Sequence, residues 1–198
     1  MVYVKVCGLM NPEDALFTAE CGADALGFVM QPKSARYVQD FSILVDELSN
    51  IPQKRVAVLG RYSEDKVARM PDGFFTDVQA ILPLQPIVTM PVFRPHPGTD
   101  IQSAIAETRG MVIVLLDPFS DGAEGGTGHT LDWGWAREFV QAFAGKVILA
   151  GGLHAGNVAQ AIHQVQPWGV DACSGTEIAP GIKDRAKIKG FIDAAKGR

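Results

Sequence analysis

KVILAGGLHAGNVAQAIHQVQPWGVDACSGTE, residues 146–177, contains two instances of one pattern, a short apolar run that ends in a glycine-bearing turn. Lys146 to Leu149 reads as a strand buried on both faces, and Gly151 to Leu153 as its tight exit. A helix follows, opened by Gly156 or Asn157 and running through Val165. Gly169 to Cys173 is the next strand, and Ser174 to Thr176 the next turn. Strand, helix and strand in that order make a βα unit of a parallel sheet.

Working outward, the same alternation recurs. Six further apolar runs precede this unit: Val2 to Cys7, Ala25 to Met30, Arg55 to Gly60, Phe74 to Gln79, Ile87 to Phe93 and Met111 to Leu116. Eight strands with helices between them predict a closed (β/α)8 barrel of the α/β class, a single domain over residues 1–198. The first helix has the clearest ends. Asn11 can cap it, Pro12 fits the first helical position, Glu13 and Asp14 suit the positive end of the dipole, and Gly22 suits the stop. A second helix is expected from about Asp40 to Leu48. Ser63 can cap one through Met70, Thr99 one through Glu107, Asp132 one through Phe143, and Asp184 opens the last. Only Ala80 to Pro86 separate the fourth and fifth strands, and with Pro83 and Pro86 inside, that connection predicts no ordinary helix.

Bulk properties exclude several function classes. Charged residues make up 20% and hydrophobic residues 47%, which is ordinary globular usage and not that of a disordered or fibrous chain. The net charge of -4 leaves no basic excess for nucleic acid. No apolar run approaches the roughly 20 residues that span a bilayer, so no membrane partner is expected. Cys7, Cys21 and Cys173 are an odd set without metal-type spacing and no signal peptide precedes them, which suggests a reducing cytoplasm. His96, His129, His154 and His163 are scattered, so neither a metal nor a catalytic triad is expected.

In such a barrel the chemistry sits where strands end. Cys7 ends the first strand, Asp117 follows the sixth, Gly151 and Gly152 the seventh, and Ser174 and Gly175 the eighth. Alternation puts Lys5 on the face of Cys7 and Asp171 on that of Cys173, on strands that would close against each other, so Lys5 and Asp171 can pair inside. A cation beside Cys7 would favour its thiolate and make it a usable base; the plain reading is a small buried filler. Glycine turns after strands seven and eight suit a phosphate, although each alone is also an ordinary tight loop. Asp121 to Thr130 reads as a glycine-rich lid over the mouth. Asp132, just beyond it, is at its plainest an N-cap, and Arg36 a solvated charge.

Taken together, KVCGLMNPEDA, GADALGFVMQPKSARYV, LLDP, GGTGHTLDW, VILAGGL and VDACSGTEIAPGIKD resemble the phosphoribosylanthranilate isomerase family, in order and at matching strand ends. The resemblance implies an Amadori rearrangement without a cofactor, in tryptophan biosynthesis, on a phosphorylated sugar. It implies Cys7 as general base, Asp132 as general acid and Arg36 as the holder of the anthranilate carboxylate. The substrate-binding set would be completed by Gly128, by Gly151, Gly152 and Leu153, and by Ser174, Gly175 and Thr176. Asp171 would serve sugar hydroxyls or pair with Lys5. One departure stands out: the family's Val-Gln-Leu-His-Gly pattern becomes Val78, Gln79, Ala80, Ile81 and Leu82, without the histidine, and Gln79 is left to face the substrate. Two competing readings are a histidine-pathway phosphoribosyl isomerase, which usually has aspartate where Cys7 stands, and a degenerate barrel acting as a binding module. Either a monomer or a homodimer is compatible with the sequence.

Overall fold

A computed structural model describes residues 1–83, 85–118 and 131–198. The expected lid, Asp121 to Thr130, and Gly128 with it, lie outside the described residues. Eight parallel strands close into a barrel in sequence order: β1 Tyr3–Cys7, β2 Ala25–Val29, β3 Lys54–Arg61, β4 Asp77–Ile81, β5 Met90–Phe93, β6 Ile113–Leu116, β7 Lys146–Leu149 and β8 Gly169–Ala172. The helices are α1 Pro12–Glu20, α2 Ser42–Leu48, α3 Glu64–Val67, α4 Ile101–Glu107, α5 Trp133–Ala142, α6 Val158–Val165 and α7 Arg185–Lys196. After β8 come a 3-10 turn at Ser174–Thr176 and a small antiparallel hairpin, β9 Glu177–Ala179 with β10 Ile182–Lys183.

Alternation along the strands divides the core in two. Inward-facing Ala25, Val56, Met90, Val92, Leu115 and Ile148 fill the barrel. Outward-facing residues such as Val4, Val6, Leu26, Phe28, Leu116 and Leu149 pack under the helices. Phe28, Phe41, Phe74 and Phe75 form one aromatic cluster in this outer layer, and Phe93, Phe139, Trp135 and Phe143 form a second, stacked one.

Polar side chains cap α1, α5 and α7 as the sequence suggests, whereas Ser63 precedes α3 without a side-chain cap bond. Asn11 accepts from the Asp14 N-H at 2.8 Å, and Asp132 and Asp184 accept from the opening turns of α5 and α7. Three expectations need correction. Asp100, not Thr99, caps α4, accepting from Ser103 N at 3.0 Å; the Thr99 carbonyl instead receives the Trp135 indole N-H at 2.7 Å. The helix after Ser63 stops at Val67 and tightens into 3-10-type bonds, because Pro71 disfavours the α conformation at Met70. The fourth strand begins at Asp77, not Phe74, because Phe74 and Phe75 owe their apolar character to the aromatic cluster and not to a strand face.

No helix joins β4 to β5 among the described residues, yet the two strands pair in parallel, Gln79 opposite Met90. The described residues of the crossover, 82, 83 and 85–89, include a turn at Gln85 to Val88.

The capping assignment predicts the outcome of two substitutions. Asp100→Ala should lower the midpoint of urea unfolding, while Thr99→Ala should leave it unchanged, because only the backbone of Thr99 is engaged.

Candidate active site

Closure of β8 on β1 sets Lys5 opposite Asp171, and Lys5 also neighbours Ala25 of β2. The Lys5 ammonium is fully buried and lies 3.0 Å from Asp171 Oδ1. This contact is a charge pairing, not an aligned hydrogen bond. Burial works against the ammonium, but the Asp171 carboxylate outweighs it and holds the Lys5 proton more tightly than usual. Cys7 stands opposite Gly27, where a Cβ would come within 3.1 Å of the Cys7 sulfur and 3.2 Å of Lys5 Nζ. Gly27 therefore makes room for a thiol and an ammonium side by side.

That neighbourhood activates the thiol. A hydrogen bond from the Cys173 thiol pulls Cys7 down to about 7; burial opposes the shift and the Lys5 charge assists it. Cys173 is pushed well above its ordinary value, first by donating to Cys7, then by burial and by the Cys7 charge. The Cys173 thiol also lies 4.0 Å from Glu177 Oε1, to which it can donate, and of the two thiols Cys7 is the one favoured as thiolate.

Cys7 opens into a cavity of about 510 Å³ at the C-terminal ends of the strands. Across the mouth, Asp117 follows β6 and Arg94 follows β5. Both Nε and Nη2 of Arg94 donate to Asp117 Oδ2, at 3.0 and 2.7 Å. Burial raises the Asp117 carboxyl above the usual range, and Arg94 offsets only part of that. Gln79 lines the same cavity, and its buried Oε1 accepts from no described residue. Asp132 is placed differently. It is not among the lining residues, and one carboxylate oxygen is engaged by the Gly134 and Trp135 N-H groups at the start of α5.

Arg36 lines the cavity from the loop after β2. Its Nε and Nη2 donate to the two oxygens of Glu177 at 2.8 and 2.7 Å. Lys183 Nζ donates to Glu177 Oε1 at 3.2 Å, to Thr176 Oγ1 at 2.9 Å and to the Cys173 carbonyl at 3.0 Å. Burial disfavours the Glu177 carboxylate, yet Arg36 and Lys183 hold it below its ordinary range. Neither Glu177 nor Lys183 was singled out from the sequence. The available signal was two opposite charges on either side of Pro180 and Gly181, just past a barrel strand.

The two glycine turns lie side by side at the pocket rim. Gly151, Gly152, Leu153 and Ser174 line the cavity. The N-H groups of Gly151 and Gly152 donate to no described residue. Asn157 braces this turn, accepting from the His154 N-H at 2.8 Å and donating to the Gly152 carbonyl at 3.0 Å. Gly175 lies behind the rim, where a Cβ would fall 2.0 Å from the Leu153 carbonyl oxygen; only glycine lets the two turns meet so closely. Thr176 is fully buried and its hydroxyl donates to the Cys173 carbonyl. Gly175 and Thr176 therefore shape the rim from behind. Among the described residues no cluster of His, Cys, Asp or Glu is disposed to hold a metal, and no helix is long and apolar enough to cross a membrane.

Comparison with known proteins places these features in context. The sequence profile described as N-(5'phosphoribosyl)anthranilate (PRA) isomerase matches residues 84–194. The N-(5'-phosphoribosyl)anthranilate isomerase of Pseudomonas paraeruginosa (strain DSM 24068 / PA7) is 35% identical over 218 residues, covering 100% of this chain and 96% of that protein. That of Geobacter sp. (strain M21) is 37% identical over 209 residues, covering 99% and 98%. Among solved structures, phosphoribosyl anthranilate isomerase from Thermotoga maritima superposes with a TM-score of 0.83 at 32% identity, each chain fully covered. A phosphoribosyl anthranilate isomerase in complex with reduced 1-(o-carboxyphenylamino)-1-deoxyribulose 5-phosphate superposes with a TM-score of 0.79 at 31% identity, again over both full chains.

The thiol pair makes a prediction of its own. Alkylation of Cys7 by iodoacetamide, followed by peptide mass mapping, should accelerate with a midpoint near pH 7. Cys173→Ala, which removes the hydrogen-bond donor, should move that midpoint upward; an unchanged midpoint would mean that Cys173 does not tune the base.

Proposed function

The chain belongs to the N-(5'-phosphoribosyl)anthranilate isomerase family, and we propose that Cys7, as the resemblance implies, and Asp117, in place of the Asp132 that the resemblance implies, perform its proton transfers. The reaction converts N-(5'-phosphoribosyl)anthranilate into 1-(2-carboxyphenylamino)-1-deoxyribulose 5-phosphate, an aldose-ketose isomerisation in tryptophan biosynthesis. The single observation that carries the assignment is that a lowered thiol and a raised carboxyl line one cavity from opposite sides.

In the first step the Asp117 carboxylic acid gives its proton to the furanose ring oxygen. The C1-O bond breaks as the anthranilate nitrogen lone pair forms an iminium. In the second step the Cys7 thiolate takes the proton from C2, and the C-H electrons neutralise the iminium to give an enolamine. Tautomerisation of the enol at C2 then yields the ketone, with a proton delivered to C1. Burial moves the Asp117 carboxyl upward, in the direction an acid needs, and a thiol near 7 is suited to accepting. Arg94 steadies the Asp117 carboxylate once its proton has gone.

Asp117 is preferred over Asp132 as the acid because the Asp132 carboxylate is committed to capping α5 and is not among the cavity's lining residues. Arg36 offers its guanidinium to the anthranilate carboxylate, and the turns at Gly151 to Leu153 and at Ser174 receive the phosphate. Asp171, paired with Lys5, lines the floor and can accept from a sugar hydroxyl. One domain accounts for the chain, since its first and eighth strands close the same barrel. Free thiols, one of them the base, suit a reducing cytoplasm. One Thermotoga maritima neighbour is described as a monomeric form generated from a dimeric phosphoribosylanthranilate isomerase; for this chain, sedimentation would separate a monomer from a homodimer.

The assignment is tested with freshly generated phosphoribosylanthranilate. Cys7→Ser and Asp117→Asn should each lower kcat by about 10²- to 10⁴-fold. Asp132→Asn, which keeps an equally good cap, should stay within a few-fold of the unmodified protein. A larger loss in Asp132→Asn than in Asp117→Asn would transfer the acid's role to Asp132.

A further inference from the structure

A guanidinium has two edges that can grip a carboxylate with parallel hydrogen bonds: the side edge, Nε with one Nη, and the end edge, both Nη groups together. In Arg36 the side edge is taken. Nε and Nη2 reach the two oxygens of Glu177, and no described residue takes Nη1. Glu177 is itself held. Lys183 Nζ grips its Oε1, and Lys187 Nζ donates to its backbone carbonyl at 2.7 Å. Lys183 is fixed in turn by the Thr176 hydroxyl and the Cys173 carbonyl, so the chain of contacts runs from the end of β8 to the arginine without a break. The side chains of Glu177 and Lys183 are 3% and 1% exposed, so the bond between them is shielded from bulk water.

Gly8 leaves room for this arrangement. A Cβ at Gly8 would lie 2.8 Å from Arg36 Cδ, 2.9 Å from the Cys173 sulfur and 3.4 Å from Glu177 Oε1. The arginine stem, the thiol donor and the carboxylate therefore meet over one glycine, directly after the Cys7 base in the chain.

We propose that Glu177, backed by Lys183, is a positioning residue that fixes the side edge of Arg36, so that its end edge receives the substrate's aromatic carboxylate in a single orientation. The charges agree with this role. Arg36 and Lys183 against Glu177 leave one net positive charge, which one carboxylate neutralises. Without Glu177 the guanidinium would keep its charge but lose the bond pair that sets its plane. The ring that carries the carboxylate would then bind in several poses, and the sugar C2 would be off line from Cys7. The inference rests on the substrate class proposed above.

The test uses two stable probes: the reduced, carboxyl-bearing product analogue 1-(2-carboxyphenylamino)-1-deoxyribitol 5-phosphate, and its phenylamino counterpart without the carboxyl. Glu177→Gln should weaken calorimetric binding of the first by about tenfold and of the second by less than about twofold. In turnover it should raise KM more than it lowers kcat. Glu177→Asp keeps the charge on a shorter arm; it should show the same selectivity to a smaller degree, and serves where the Gln variant does not fold. Equal losses for both probes would reduce Glu177 to a structural support, and no loss for either would remove it from binding; each overturns the proposal. Absence of turnover by the unmodified protein, alongside selective binding, would count against the proposed reaction and leave this inference standing.

Discussion

The pairing of β8 with β1 is the constraint on which the rest depends, because it seals a lysine and an aspartate inside an otherwise apolar barrel. A buried charge with no partner is strongly unfavourable, and removing one member of such a pair typically costs about 3–5 kcal/mol. Slipping the register by one residue would leave Lys5 facing Val170 or Ala172 in place of Asp171. The ion pair therefore acts as a register pin, and the register decides which side chains reach the mouth. Cys7 lies two residues beyond Lys5 and Cys173 two beyond Asp171, so a correctly closed barrel also brings the two thiols together.

Charge at the mouth is arranged in three local pairs and not as one field. Lys5 faces Asp171 on the floor, Arg94 faces Asp117 on one wall, and Arg36 faces Glu177 and Lys183 on the other. Each group is mostly withdrawn from water, so each acts over short range: Lys5 assists the Cys173 hydrogen bond in lowering the Cys7 thiol, Asp117 beside Arg94 stays raised by burial, and Glu177 holds two nitrogens of the Arg36 guanidinium. An acid and a base can thus work within one cavity without quenching each other, because their environments push their affinities for a proton in opposite directions.

The short crossover between β4 and β5 shows how much of the barrel's covering is dispensable. Without a helix there, the outer faces of Val78, Ala80 and Val88 are still buried. On the inner face Gln79 still lines the cavity, its buried Oε1 accepting from no described residue, in the wall where the histidine of the family pattern is missing. Strand pairing and interior packing, not helical coverage, hold this segment in place.

The sequence by itself determined the alternation of strand and helix, the count of eight strands, the absence of a helix after the fourth, and the placing of Cys7 and the glycine turns at strand ends. These are local properties: apolar periodicity, capping residues and proline or glycine punctuation act over a few positions. Even the Lys5 and Asp171 pairing was legible, since alternation and barrel closure together imply it. Tertiary structure alone decided where each capable residue is placed. Asp117 and Asp132 are both acidic and both follow β6, but Asp117 lines the cavity, while Asp132 caps a helix. Arg36 and Glu177 are 141 residues apart, and nothing local to either encodes their bond. Burial, and the distance between groups remote in sequence, exist only once the barrel has closed, and these two quantities set proton affinity and orientation.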